Sequence, residues 1–551
     1  MNNRKTLKAK INGMHCEHCV SSVSNAIKNI NGVEEVKIDD WRNGNTEIIF
    51  SNDISTNLLE EVVKKAGYTI ETIQESQFHG TTSWGYDFDL LIIGGGSAAF
   101  AAAIKASELE KKVLMINSGL PVGGTCVNVG CVPSKTLIRT AEQFYAANHP
   151  NFNGIKSANN KIDFKEVIRQ KTALVDGLRQ DKYVDVLKDD PNVTILKAHA
   201  KFVDKNSVEA DKKIYTADKI LIATGSKTFI PEVSGLRETG YLTNVTLYEL
   251  EELPEHLIVI GGRYIALENA QLFARLGSKV TILQRSFRIL PDEMPDVTET
   301  IKDYLEEEGI KIITGVKINS IEKKNGKVVV NASVKDEDKT FEGSHIFVAT
   351  GRKGNTNNLE LDKLSVELHK RSFIKTNKFL QTSIPNIYAA GDVTGEYLFV
   401  YSAAYEGSLA VMNMFGENQT KKDYSVFPWV IFTDPQVAGV GMDENQAYEK
   451  RIDYEVSTIW LKDVPRSLAA RNTKGLIKLI RDKKTDKLVG ARILASEGSE
   501  LLMEVSLAIN YGITVKELKQ IFHPYLTLSE GIKIAAISFD KDAKKLSCCA
   551  V

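Results

Sequence analysis

The six cysteines fall into three pairs, Cys16/Cys19, Cys126/Cys131 and Cys548/Cys549, with no thiol left over. Paired thiols in a chain this sparse in cysteine do redox or soft-metal chemistry more often than they staple a fold. In VGGTCVNVGCVPSK, Cys126 and Cys131 sit in a Gly-rich turn expected to become a helix around Ser134. The dipole of that helix, with Lys135, would stabilise a thiolate. In GMHCEHC, Cys16 and Cys19 enter a predicted helix and offer two thiolates, a set suited to two-coordinate Cu(I) or Hg(II). Zinc would need a second pair of ligands, and His15 and His18 read as exposed loop histidines. Cys548 and Cys549 are adjacent, with only Ala550 and Val551 after them. A chain end has few packing constraints, so such a pair can move while it holds a soft ion.

Two other stretches carry binding chemistry. Each is an apolar strand running into a Gly-rich turn and then a small-residue helix, the context that makes a dinucleotide signature specific. In DLLIIGGGSAAFAAAIKA, Gly94 permits the tight turn, Gly96 lets a pyrophosphate approach, and Ala99 allows close helix packing. The following strand ends at Asn117, where an acid would usually hold the ribose; Asn can still accept one hydrogen bond. In EHLIVIGGRYIALENAQLFARLG, Gly261 opens the turn and Ala266 closes it, but Arg263 stands at the middle glycine. Either that loop lies slightly away from the phosphates or Arg263 contacts one. The next strand ends at Gln284, with Arg285 and Arg288 close by, which favours the 2′-phosphate of NADP over NAD.

These sites need elements to hold them. The chain has 551 residues, 43% hydrophobic and 26% charged, with net charge −1. That length implies several domains, and that charge gives no footprint for nucleic acid or an anionic membrane. The longest apolar stretch, Leu90 to Ile104, is too short and too glycine-broken to span a bilayer. The basic N-terminus is followed by no apolar run, so a cytoplasmic location is expected. Residues 5–75 read as a βαββαβ module of ferredoxin-like order, joined by a polar tether at 76–86. The remainder alternates strands and helices around the two signatures: α/β, with two doubly wound dinucleotide-binding domains. The expected bounds are 87–241 and 352–424 for the first, 242–351 for the second, and 425–551 for an α+β C-terminal domain.

The cysteine stretch at 122–135 resembles the active-site signature of the pyridine nucleotide–disulfide oxidoreductases. The resemblance runs from about residue 86 to the end. It includes the ATG turns at Ala223–Gly225 and Ala349–Gly351 and the segment NIYAAGDVTG. It implies FAD in the first site and NADPH in the second. It also implies Cys131 against the flavin, Cys126 as the exchanging thiol, and Lys135 paired with Glu268 near the flavin. Ala99, Gly119, Thr125, Lys135, Ala200, Asp392 and Val400 would line FAD. Disulfide reductases of this family use a histidine in H-P-T-x-S-E as acid–base, but IFHPYLTLSEG places Tyr525 there, with His523 two residues early. Tyr525 and the terminal thiol pair resemble the mercury(II)-reducing branch, which also implies a role for Tyr183 at the same metal site. GMHCEHC resembles heavy-metal-associated domains. The implied activity is NADPH-dependent reduction of Hg(II), captured by Cys16 and Cys19 and passed through Cys548 and Cys549 to Cys126 and Cys131. A homodimer is implied, with Cys548, Cys549 and Tyr525 serving the partner's site. The alternatives are a glutathione- or lipoamide-type disulfide reductase and a copper-trafficking module fused to a flavoprotein.

Overall fold

The structure is a computed structural model and describes residues 5–15, 17–38, 41–50, 56–74 and 85–542. Cys16, Cys548 and Cys549 lie outside the described residues. The N-terminal module runs β1 (Lys5–Asn12), α1 (Glu17–Lys28), β2 (Val33–Ile38), β3 (Asn45–Phe50), α2 (Thr56–Lys65) and β4 (Thr69–Gln74). Its antiparallel sheet has the order β2-β3-β1-β4. Alternation in β1 sends Leu7, Ala9 and Ile11 to one face, where they pack with Val23 and Ile27 of α1 and Leu59 and Val63 of α2.

The first dinucleotide fold is built on β5 (Phe88–Ile93), α3 (Ser97–Glu108) and β6 (Val113–Asn117). It continues through α4 (Gly124–Val129), α5 (Cys131–Asn148), α6 (Phe164–Arg179), β7 (Val193–Lys197), β8 (Ala200–Phe202), β9 (Ser207–Ala210) and β10 (Lys213–Ile222). The strands β7-β6-β5-β10 lie parallel. From Leu90 on, β5 is an unbroken apolar run because both its faces are covered; Leu90, Leu91 and Ile92 are wholly buried.

After β11 (Ser226–Thr228) comes the second fold: β12 (His256–Ile260), α7 (Tyr264–Leu276), β13 (Lys279–Leu283), α8 (Pro295–Glu307), β14 (Lys311–Ile313) and β15 (His345–Val348). Its parallel sheet has the order β14-β13-β12-β15. The chain then returns to the first fold. β16 (Arg352–Gly354) pairs with β11, β17 (Ile387–Ala389) joins β10 in parallel, and α9 (Val400–Phe415) packs on α3. The last contact is close: a Cβ on Gly407 would lie 2.1 Å from the Ala98 carbonyl oxygen. The alanine run of α3 serves this approach.

The C-terminal domain is an antiparallel sheet of β18 (Trp429–Ile431), β19 (Gln436–Gly441), β20 (Tyr454–Trp460), β21 (Leu476–Asp482) and β22 (Leu488–Ala495). The order is β18-β19-β22-β21-β20, with α10 (Gly498–Asn510) and α11 (Ser529–Ile537) packed in its core. It is tied to the second fold by buried cations. Arg492 pairs with Glu293 at 2.6 Å, and Lys478 with Asp296 at 2.6 Å. Among the described residues no helix is long and apolar enough to cross a membrane.

Candidate active site

Cys131 is the first residue of α5, and Cys126 lies in the first turn of α4 before it. The helix thus begins three residues earlier than the expected Ser134. Gly130 separates the two helices, and a Cβ there would sit 2.9 Å from the Thr125 carbonyl oxygen. No disulfide joins the two sulfurs. Their shared hydrogen bond, then burial, drives the Cys126 thiol far up and keeps it protonated. The same hydrogen bond, with help from the Lys135 ammonium, pulls Cys131 down. Of the two, Cys131 is the one that its hydrogen-bond partner and its place at a helix N-terminus favour as thiolate. Asn128 braces this turn by donating to the carbonyls of Pro121, Val122 and Gly124 and accepting from Arg179.

Lys135, one turn along α5, meets Glu268 of α7 at 2.8 Å. Glu268 is buried, and its second oxygen accepts the Phe432 N–H at 2.9 Å. The Lys135 ammonium also stands 4.6 Å over the Phe432 ring. One ion pair thus joins both dinucleotide folds and the C-terminal domain behind the thiols.

A cleft opens beside the two sulfurs. Gly96, Thr125, Asp392 and Val400 line it together with Cys126 and Cys131. Asp392 is fixed there by Ser226, which donates at 2.7 Å, and by Arg352 at 3.5 Å. Arg352 also donates to Ser226 Oγ at 2.6 Å. Ser226 and Arg352 each follow one of the two ATG turns (ATGS and ATGR), a signal the sequence reading left unused. Of the other residues assigned by resemblance, Ala99 and Ala200 are buried in two different hydrophobic clusters of the first fold. Gly119 holds a left-handed turn (φ +80°) after β6. Asn117 donates to the Leu120 carbonyl at 3.1 Å and crosses Gly95 closely, so that a Cβ there would lie 2.5 Å from its Cγ.

Tyr183 lies in a single π-helical turn, Gln180–Val184, that follows α6. The turn carries its ring edge-on to Phe100, 4.9 Å between centroids, and within reach of Gly123. Its hydroxyl is pushed up chiefly by burial, with a hydrogen bond to Ser97 and the charge of the two sulfurs as further influences. Tyr183 is thus half-buried beside its own chain's thiols and not a helix-surface aromatic. Tyr525 is about half exposed (51%) on the C-terminal domain. His523 is turned away from solvent, with Nε2 on Glu504 at 2.6 Å and Nδ1 on the Ile521 carbonyl at 3.1 Å. Glu530, which would orient a catalytic histidine, instead accepts the Leu526 N–H at 3.1 Å.

In the second fold, Gly261 makes the turn (φ +125°), and a Cβ there would meet the Ala349 carbonyl oxygen at 2.4 Å. Ala266 is fully buried against the sheet. Gln284 is buried across Gly262, while Arg285 and Arg288 have no carboxylate partner among the described residues. In the N-terminal module Cys19 is half-buried in α1; its partner thiol falls outside the described residues.

Residues 88–407 match the pyridine nucleotide-disulphide oxidoreductase family, 427–536 its dimerisation domain, and 9–69 the heavy-metal-associated domain. The chain is 41% identical over 545 residues to a mercuric reductase of Lysinibacillus sphaericus, covering 98% of this chain and 99% of that one. It is 40% identical over 550 residues to a mercuric reductase of Staphylococcus aureus, covering 99% and 100%. The chain belongs to the mercuric reductase family. A solved flavoprotein disulfide reductase, RclA from Escherichia coli in complex with Cu(II), shares the fold. Its TM-score is 0.73 at 30% identity, over 80% of this chain and 98% of that one.

Mercuric reductase family membership brings FAD and NADPH as cofactors and, through the dimerisation domain, a homodimer. The residues present fit both cofactors. At Gly96 nothing lies nearer to an added Cβ than Gly124 Cα at 3.8 Å, which leaves room for a phosphate. Thr224 Oγ1, in the first ATG turn, is buried with no partner among the described residues. Arg285 and Arg288, with no carboxylate partner among the described residues, fit the 2′-phosphate of NADPH.

Proposed function

We infer that this protein reduces Hg(II) to Hg(0) at the expense of NADPH. The observation that carries the reading is a half-buried thiol pair sharing one proton beside the cleft, in a chain whose His523 has both ring nitrogens engaged. FAD, when bound, relays an electron pair from NADPH to the thiol side. Written with thiolate ligands the reaction balances as Hg(SR)₂ + NADPH + H⁺ → Hg(0) + NADP⁺ + 2 RSH.

The chain's own residues supply the metal handling. Hg(II) is soft and takes two thiolates, so Cys126 and Cys131 hold it together, and Cys126 releases its proton on becoming a ligand. Lys135 supports the negative charge there and is itself fixed by Glu268. Cys16 and Cys19 capture Hg(II) from small-thiol complexes, and Cys548 and Cys549 carry it inward. At each transfer an incoming thiolate bonds to the metal before an outgoing one departs, so no free ion forms. Tyr183, beside the sulfurs, and Tyr525, from the partner subunit, flank the transfer path. Met503 and Leu507 of α10 and Tyr511 at its C-cap form an exposed stripe at helical spacing, with the nearly bare Phe522 close in sequence, which supports a partner surface beside Tyr525. The supply of NADPH and small thiols favours a cytoplasmic setting.

A disulfide reductase is the weaker reading, because both ring nitrogens of His523 are engaged. The test replaces Cys548 and Cys549 by Ala and measures Hg(II)-dependent NADPH oxidation under excess thiol. Loss of turnover with bulky Hg–dithiol complexes is expected; unchanged turnover would sink the handover scheme.

A further inference from the structure

Arg263 occupies the position where the first fold has Gly96, and the backbone follows the same path in both. Gly96 caps α3 at φ −93°, ψ −169°, and Arg263 caps α7 at φ −110°, ψ −169°. This is extended backbone that any residue adopts, so the glycine is needed for space and not for conformation. The Arg263 side chain therefore projects from the helix end toward the place where the first fold leaves room for a diphosphate.

Its guanidinium is held by Asp292 in a two-point pair, the second contact being 3.1 Å. Both partners are more than half exposed. Asp292 itself sits on a fixed strap. Leu290 N–H donates to the Gly262 carbonyl at 2.9 Å, and the next two acids, Glu293 and Asp296, are anchored on Arg492 and Lys478 of the C-terminal domain. The strap thus presents one carboxylate to the helix end and commits its other acids elsewhere. An exposed pair of this kind is weak, whereas a planar guanidinium binds a doubly charged diphosphate by paired charge-assisted hydrogen bonds.

We propose that Arg263 is a diphosphate ligand for NADPH, held ready by Asp292 and handed to the cofactor on binding. The proposal rests on NADPH occupying the second fold. It explains how a loop lacking the middle glycine serves a dinucleotide: the cation replaces the close backbone approach.

The test uses the FAD-bound full-length protein, titrated calorimetrically with NADP⁺ and with 2′-AMP, which lacks the diphosphate. Arg263→Gln should weaken NADP⁺ about tenfold and leave 2′-AMP within twofold, with Arg263→Lys in between. Asp292→Asn should tighten NADP⁺ about threefold and leave 2′-AMP alone. NADP⁺ binding to Arg263→Gln that is unchanged or tighter would overturn the proposal, as would weaker NADP⁺ binding to Asp292→Asn. Failure of the unaltered protein to bind 2′-AMP would instead strike at the NADPH assignment on which the proposal rests.

Discussion

The two dinucleotide folds of this chain use one turn geometry with different chemistry at the phosphates. In each, the first glycine lies over a carbonyl of an ATG turn, Gly94 on Ala223 and Gly261 on Ala349. In each, an amide stands where an acid would hold the ribose and lies across the second glycine, Asn117 on Gly95 and Gln284 on Gly262. They part at the third position. Gly96 leaves open space beside the thiols, whereas Arg263 fills it and pairs with Asp292. A resident cofactor that stays bound favours a close backbone cradle. One that must come and go each turnover can be held by exposed cations, which bind with less burial and exchange readily.

The sharpest break of this comparison is Gly94→Ala against Gly261→Ala. The first should abolish FAD retention and turnover, because its Cβ would stand 2.1 Å from a backbone carbonyl. The second should retain FAD, read by flavin absorbance, while kcat/KM for NADPH falls roughly 100-fold. Next in size, Glu268→Gln cuts the ion pair that bridges the folds. Hg(II)-dependent NADPH oxidation should fall about tenfold or more as Lys135 loses its anchor. The Cys131 thiolate absorbance should appear at lower pH, since the like charge of Glu268 is gone and the Lys135 charge is no longer offset. Replacing Arg285 and Arg288 by Ala should cost about tenfold in kcat/KM for NADPH and spare NADH, a selectivity change that leaves the first fold untouched.

A stability effect, without direct bearing on turnover, concerns a group only the first fold possesses. Glu406 is buried under the Asp392 loop, accepting from the Gly391 N–H at 2.6 Å and from Tyr424. Burial raises its pKa to about 7 from 4.5. A raised folded pKa means its contribution to stability is complete below about 4.5 and is lost as pH climbs through 7. Glu406→Gln should remove that slope, by at most about 3 kcal/mol between pH 4.5 and 7.5, as read from denaturant midpoints.

Periodicity and glycine placement made the layered architecture legible, because βαββαβ order and strand–turn–helix signatures are local patterns. The thiol motif was equally local. Three features depended on tertiary contact and escaped the sequence. Gly130 splits the cysteine segment into two helices, so the predicted start at Ser134 was late. Sequence alone leaves Tyr183 equally open to a helix-surface place and to the metal site, and a π turn carries it to Phe100 and the thiol segment. Arg352, Ser226 and Asn128 hold the site through long-range hydrogen bonds; the ATG turns mark where the first two lie but not what they meet.

The central claim is tested most directly by following NADPH oxidation spectrophotometrically, with and without Hg(II), while elemental mercury vapour is collected. One Hg(0) released per NADPH consumed, with little oxidation when only glutathione disulfide or lipoamide is offered, is the predicted result. Rapid NADPH oxidation by a disulfide, with no mercury vapour when Hg(II) is supplied, would contradict it.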